Sequence, residues 1–108
     1  MAKIDIITLT GLTASDGSII ASGATVKFSS EFQIGTTRII IRPKVFRTRE
    51  LFEAGYTPIN CDLIPNDIQM VLPEEEYYVL TPAVLYEIVK DELNVRAGEI
   101  IFEVVIIP

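Results

Sequence analysis

Residues 99–108 read Glu-Ile-Ile-Phe-Glu-Val-Val-Ile-Ile-Pro, a run dominated by β-branched residues that favour extended backbone. Leaving it in water would cost roughly 1.5–3 kcal/mol for each large apolar side chain. In a strand, Ile100, Phe102, Val104 and Ile106 share one face, and the opposite face is also largely apolar. The pattern therefore predicts a strand that is central in a sheet or covered by another subunit.

The composition is typical of one folded domain. The chain has 108 residues, enough to bury about 60–70% of its unfolded surface, and 49% of them are apolar. No apolar run approaches the roughly 20 residues of a membrane-spanning helix. The opening residues Met-Ala-Lys-Ile-Asp put an acid where a signal peptide would be apolar. We expect a single domain over residues 1–108, made in a cytoplasm, with no membrane association.

The side chains that carry most catalytic and metal chemistry are scarce. The chain has no histidine and one cysteine, Cys61, so the usual zinc and haem ligand sets and the commonest general base are missing. The acids between residues 62 and 76 lack the spacing of a calcium loop, and Glu74–Glu76 read as a solvated bend. We predict no enzyme activity, no cofactor and no metal site, with Cys61 a reduced filler.

Charge is divided unevenly along the chain. The net charge is −6, but residues 1–49 hold seven cationic against three acidic residues, a balance of +4. Residues 50–108 hold two against twelve, a balance of −10. Five of the nine cations fall within residues 38–49, and such a cluster suits phosphate or an acidic protein surface.

Strands dominate the first half of the sequence. Alternation and turn residues predict a strand at Lys3–Thr10, a turn at Asp16-Gly17 and a strand at Ala24–Phe28, with Ser29–Gly35 left open as loop or strand. Thr36–Arg42 is predicted to be a strand, with Thr37, Ile39 and Ile41 on one face and Arg38, Ile40 and Arg42 on the other. Extended chain is expected to continue beyond Pro43.

The second half combines short elements with one helix. Thr48 is expected to cap a single helical turn that ends at Gly55. The extended connection that follows is expected to be anchored by Cys61, Leu63 and Ile64. Two short strands are predicted after it, at 68–72 and 77–80. Thr81 and Pro82 are helix-start signals, and Asn94 is a candidate end. The apolar stripe of this amphipathic helix, about 81–93, comprises Val84, Leu85, Ile88, Val89 and Leu93, and its polar side comprises Glu87, Lys90 and Asp91.

These elements predict a mainly β fold, a small antiparallel β-sandwich with the helix packed before the C-terminal strand. The helix can cover one face of that strand. We expect the strands at Thr37–Ile41 and Ile4–Leu9 to form an opposing sheet over the other face, with a neighbouring subunit as the alternative.

The basic stretch is the candidate contact surface. Arg38 and Arg42 share a strand face, and Lys44 joins them if the strand passes through Pro43. Acidic surfaces of identical or neighbouring subunits, such as 74–76 or the polar side of the helix, suit these cations; solvated edge charge, which discourages unwanted sheet extension, is the other interpretation. Direct nucleic-acid binding is disfavoured by the negative net charge and the single nearby aromatic, Phe46. The predicted partner-binding residues are Arg38, Arg42, Lys44, Phe46, Arg47, Arg49, Phe52 and Tyr56.

Several of these features together carry a resemblance. Asp16-Gly17-Ser18 followed by Ala24–Phe28 directly after a glycine resembles the opening hairpin of small β-sandwich modules, including those that begin many phage baseplate and fibre proteins. With the arginine-rich edge, the long loop and Leu80-Thr81-Pro82, the whole chain resembles small virion proteins of tailed phages, and among them auxiliary capsid or head-tail proteins of the crAss-like phage group.

This resemblance implies a non-catalytic structural protein of the virion. It would bind capsid or tail subunits through apolar strand surface and the basic edge, in many copies per particle. A soluble protein-binding adaptor outside any virion is the alternative hypothesis, followed by a module that contacts nucleic acid.

Overall fold

The computed structural model describes residues 3–98 and 100–107. Its strands are β1 Lys3–Thr8, β2 Leu12–Thr13, β3 Ile19–Ile20, β4 Thr25–Gln33, β5 Arg38–Phe46, β6 Ile68–Val71 and β7 Phe102–Ile107. Its helices are α1 Arg49–Glu53, α2 Glu74–Tyr77 and α3 Pro82–Arg96, with a 3-10 turn at Ile34–Thr36.

The fold is strand-rich mixed α/β, built on one five-stranded antiparallel sheet in the order β6-β5-β4-β1-β7. The predicted antiparallel character and the helix directly before the last strand are confirmed. Where a sandwich would have a second large sheet, however, the described residues form only the β2–β3 pair, with two residues in each strand. The core face of the sheet is covered instead by α3, by β2–β3 and by buried residues of the 54–67 connection.

The C-terminal strand is not central. β7 lies at one end of the sheet and pairs only with β1 among the described strands, with Lys3 opposite Ile107 and Thr8 opposite Phe102. The opposing sheet predicted from β1 and β5 is also wrong, because both strands belong to the same sheet as β7. The apolar pattern predicted cover over both faces of this strand. α3 covers the face of Phe102, which is 2% exposed, whereas on the other face Glu103 is exposed and Val105 and Ile107 are half-buried. The pattern could not report which strands would be neighbours.

The long β4–β5 hairpin confirms one prediction and answers an open one. Residues 29–33, unassigned from sequence, continue β4 and pair with residues 38–42. β5 passes through Pro43 without interruption. Alternation along β5 turns the missing N–H of Pro43 toward β6, and β6 begins only at Ile68, opposite Ile41. No ladder hydrogen bond is therefore lost at the proline.

Helix α3 starts as predicted. Thr81 is its N-cap, with its Oγ1 accepting a hydrogen bond from the Val84 N–H at 3.3 Å, and Pro82 is the first helical residue. Leu85, Val89 and Leu93 are buried, whereas Val84 is exposed and lies outside the packed stripe. The Lys90 Nζ lies 3.1 Å from Glu87 and 2.8 Å from Asp91, as expected for the polar side. The helix runs to Arg96, past the predicted end at Asn94.

Removing the cap hydroxyl should weaken this helix. Thr81→Ala leaves the Val84 N–H without its partner and is expected to lower the free energy of unfolding by about 1 kcal/mol. Urea denaturation measures the change. Thr57→Ala, at an exposed loop threonine, is the matched control and should be neutral. Equal effects in the two variants would contradict the assigned cap.

The short elements differ more from expectation. Thr48 caps α1 through a hydrogen bond from the Leu51 N–H, and Gly55 ends the turn with φ +81°, both as predicted. Residues 77–80 are not a strand. They form the end of α2 and the turn after it, because the Pro73 carbonyl accepts the N–H groups of Glu76 and Tyr77. Acids in the first turn of a helix suit its dipole, so 74–76 is helical and not a bend.

The connection between α1 and β6 is anchored by two of its three predicted residues. Cys61 and Ile64 are buried in the core, but the Leu63 side chain is exposed. The backbone also contributes, since the Ile59 N–H donates to the Val45 carbonyl at 2.7 Å. This bridge continues the pairing of β5 beyond the point where β6 begins.

Candidate functional site

The face of the sheet opposite α3 carries the charged side chains of the strands, and we call it the open face. Strand alternation puts Ile39, Ile41 and Val45 in the core and sends the intervening side chains of β5 to the open face. Three cations lie there, at positions 38, 42 and 44 of the strand, with the buried Ile40 between the first two. We call Arg38, Arg42 and Lys44 the basic row.

The basic row has little internal compensation. Arg42 Nη2 lies 3.8 Å from a Glu31 carboxylate oxygen, and both side chains are about half exposed. Such a pair contributes little in water. Within residues 3–98 and 100–107, no carboxylate lies within ion-pair distance of Arg38 or Lys44. These cations therefore retain their capacity to bind an acidic surface.

Arg49 is engaged inside the chain. Its Nη1 donates to Asp5, a carboxylate fully buried on the open face, and Lys27 Nζ lies 2.6 Å from the other oxygen of Asp5. Arg49 Nε also donates to Glu53 at 2.6 Å. The hydrogen bond to Asp5 raises the pKa of Arg49, and the hydrogen bond from Arg49 lowers the pKa of Glu53. We call Asp5, Lys27 and Arg49 the ion cluster, and its role in the structure is to hold α1 against the sheet.

The remaining predicted contact residues are not brought together as one patch. Phe46 is buried and packs against Phe52 with ring centroids 5.2 Å apart, and Lys27 Nζ lies 5.0 Å from the Phe52 centroid. Arg47 donates to the Ile19 carbonyl at 3.3 Å. Tyr56 is exposed after α1. The aromatic pair thus anchors α1, and the basic row and Tyr56 are the predicted residues most open to a partner.

The outer edge of β7 is a second candidate surface. The Leu9 N–H donates to the Ile101 carbonyl at 2.8 Å, which makes these residues a hydrogen-bonded pair of the β1–β7 ladder. In an antiparallel ladder such pairs alternate, so Glu103, Val105 and Ile107 direct their backbone groups at β1. The backbone groups of Phe102, Val104 and Ile106 point away from the sheet.

The side chain of Asn94 binds the outward backbone groups of the first of these three residues, Phe102. Its Oδ1 accepts from the Phe102 N–H at 2.7 Å, and its Nδ2 donates to the Phe102 carbonyl at 3.3 Å. In the described residues, Val104 and Ile106 have no corresponding backbone partner. We call these two residues the free edge. The Ile106 side chain is 69% exposed there.

Two concavities lie elsewhere on the molecule. A cleft of about 510 Å³ opens between β5 and the connection, with Lys44, Cys61 and Asp62 among its lining residues. Burial raises the pKa of the Cys61 thiol, which therefore stays protonated at neutral pH, and Asp62 accepts a hydrogen bond from Ser15 at 2.7 Å. Within the described part of the chain, no three His, Cys, Asp or Glu side chains are grouped to hold a metal.

The other concavity is an apolar groove of about 340 Å³ between β4 and the start of α3. Phe28 and Tyr86 form one wall, with ring centroids 4.9 Å apart, and Phe32 extends it. The residues that line the groove include no Asp, Glu, Lys or Arg. The groove can accept an apolar side chain.

Sequence reasoning missed the ion cluster and the free edge. Asp5 offered a signal, since it is an acid flanked by isoleucines in a strand; its partners lie 22 and 44 residues away and share no local pattern. The free edge depends on the order of strands in the sheet. In the described residues, no helix is long and apolar enough to cross a membrane. No family model, no curated protein and no solved structure matches this chain.

Proposed function

We propose that this protein is a non-catalytic structural component of a virion, an auxiliary capsid or head-tail protein, that binds neighbouring subunits through the free edge of β7 and the basic row. The observation that carries the proposal is the free edge. It combines outward backbone groups with apolar side chains on an end strand, and such edges pair readily with another chain.

The basic row supports the same function by supplying a charge pattern for register. Its cations lie on the open face, outside the ion cluster that stabilises α1. Acidic residues of a neighbouring subunit would meet them without displacing an internal partner. Opposite charges across an interface steer association and select the partner more than they add affinity. The virion setting rests on the resemblance to small tailed-phage proteins.

Neutralising the basic row tests the proposal. In the triple variant Arg38→Gln, Arg42→Gln, Lys44→Gln, we expect incorporation into particles at physiological salt to fall by about tenfold or more, because three rim charges are lost together. Incorporation is measured by quantifying the tagged protein in gradient-purified particles from cells that produce the virus. Circular dichroism of the purified variant confirms that its fold is retained.

The matched control removes cations of α3. Lys90→Gln with Arg96→Gln changes the net charge in the same direction, at residues paired within the helix. Its incorporation should equal that of the wild type. Unchanged incorporation of the triple variant would contradict the role of the basic row. A wild-type protein that never enters particles would contradict the virion assignment and favour an adaptor outside the particle.

A further inference from the structure

The free edge has a self-complementary geometry. It consists of two residues with outward backbone groups, Val104 and Ile106, and Val105 lies between them with its backbone directed at β1. We propose that the occupant of this edge is a second copy of the chain, bound antiparallel about a two-fold axis at Val105. The inference rests on the proposed function in that it names the partner for one of its two contact surfaces.

The chemistry of the strand leaves one antiparallel register that satisfies both copies. With Val104 opposite Ile106 of the second copy, each outward residue faces an outward residue and four backbone hydrogen bonds form. In a register with Val104 opposite Val104 of the second copy, Ile106 would lie opposite Phe102 of the second copy. The backbone N–H and carbonyl of Phe102 are already bound by Asn94. In a register with Ile106 opposite Ile106 of the second copy, Val104 would lie opposite Pro108 of the second copy. Proline has no N–H to donate.

Charge also suits identical strands. Residues 104–107 carry no charge. In this register Glu103 of each copy lies opposite Ile107 of the other, so the two Glu103 side chains are at the two ends of the paired segment. No like charges therefore meet directly across the two-fold axis, a juxtaposition that destabilises paired strands. The facing side chains are β-branched, which favours cross-strand packing. A two-fold axis perpendicular to the sheet keeps both copies of α3 on the same side of a ten-stranded sheet.

The interface is small, and its strength should reflect that. A pairing limited by Asn94 at one end and Pro108 at the other is expected to bury less than about 1,200 Å², which is typical of weak contacts. We expect a dissociation constant on the order of 10–100 μM for the isolated protein. Many copies held in a particle would raise the local concentration above this value.

Cysteine cross-linking tests the register. Val105→Cys in a Cys61→Ala background places two thiols at a non-hydrogen-bonded pair, where Cα atoms are about 4.5 Å apart and a disulfide fits. Mild oxidation should convert most of the protein to a covalent dimer. Ile107→Cys is the control, on the same face and also half-buried; its two copies would be offset by four residues, about 13 Å along the strand. It should cross-link at least about tenfold less.

Sedimentation velocity over a concentration series tests the association without cysteines. Ile106→Lys puts a cation on each side of the free edge and should weaken the dimer by about tenfold or more. Val71→Lys, at a residue 64% exposed on the opposite edge of the sheet, should leave it unchanged. A wild-type protein that stays monomeric up to about 500 μM, five times the upper expected constant, would overturn the inference.

The two proposals fail in different ways. Equal cross-linking at positions 105 and 107, or none at either, would overturn the inference while leaving particle incorporation to decide the function. A dimer with the predicted register that is excluded from particles would overturn the proposed function and support self-pairing.

Discussion

Deletion of residues 100–108 is expected to abolish cooperative folding. Ile100 and Phe102 are buried in the core, and the six residues of β1 would lose their ladder with β7. Truncating a buried phenylalanine or isoleucine typically costs about 2–5 kcal/mol, and a domain of this size has about 5–15 kcal/mol in total. Near-UV circular dichroism and urea denaturation of the deletion variant measure the outcome.

A point variant on the same strand tests whether the exposed residue of the free edge contributes to stability. Ile106→Ala shortens a side chain on the same face as Phe102 but 69% exposed, so the free energy of unfolding should fall by less than about 1 kcal/mol. A deletion variant that retained a cooperative transition would show that β7 serves an interface and that the remaining sheet is stable without it.

Asp5→Asn is expected to destabilise the protein by about 3 kcal/mol. The carboxylate is fully buried, accepts a hydrogen bond from Arg49 and forms an ion pair with Lys27; the side chains of both cations are themselves mostly buried. The amide is isosteric but uncharged, so two cations would remain close together without their counter-charge. The midpoint and slope of urea denaturation measure the loss.

The control for this variant removes the exposed partner of the same arginine. Glu53→Gln breaks the contacts with Arg49 and Lys3, in which the Glu53 carboxylate is about half exposed. Its urea midpoint should stay close to that of the wild type, because solvent replaces the lost pairs. If Glu53→Gln were as destabilising as Asp5→Asn, the buried carboxylate would not be the centre of the cluster.

The sequence predicted the elements whose causes are local. Thr81 and Pro82 define the start of α3 through a side-chain hydrogen bond and a fixed φ angle, both determined within four residues. The face assignment of β5 followed from strict alternation, and Gly55 ended α1 through its positive φ. In each case the physical reason is contained in neighbouring residues.

The predictions that were wrong concern features determined by contacts between residues far apart in the sequence. An apolar strand such as β7 is compatible with a central or an end position, and only pairing with β1, about a hundred residues earlier, distinguishes them. Asparagine is common at helix ends, but the side-chain amide of Asn94 hydrogen-bonds Phe102 and the helix continues to Arg96. For the contact surface, alternation placed the basic row correctly on one face; the engagement of Arg49 depended on Asp5, 44 residues away.

The pairing of β1 with β7 has a consequence for the order of events during synthesis. β1 is synthesised before the other described strands, but its partner on the β7 side is complete only after residue 107 has been made. Until then β1 presents an unpaired side, and the loop that must close spans nearly the whole described chain, which slows folding. Contacts through the outer side of β7 are therefore unavailable until residue 107 has been made, so assembly through this strand begins only with molecules whose sheet is finished.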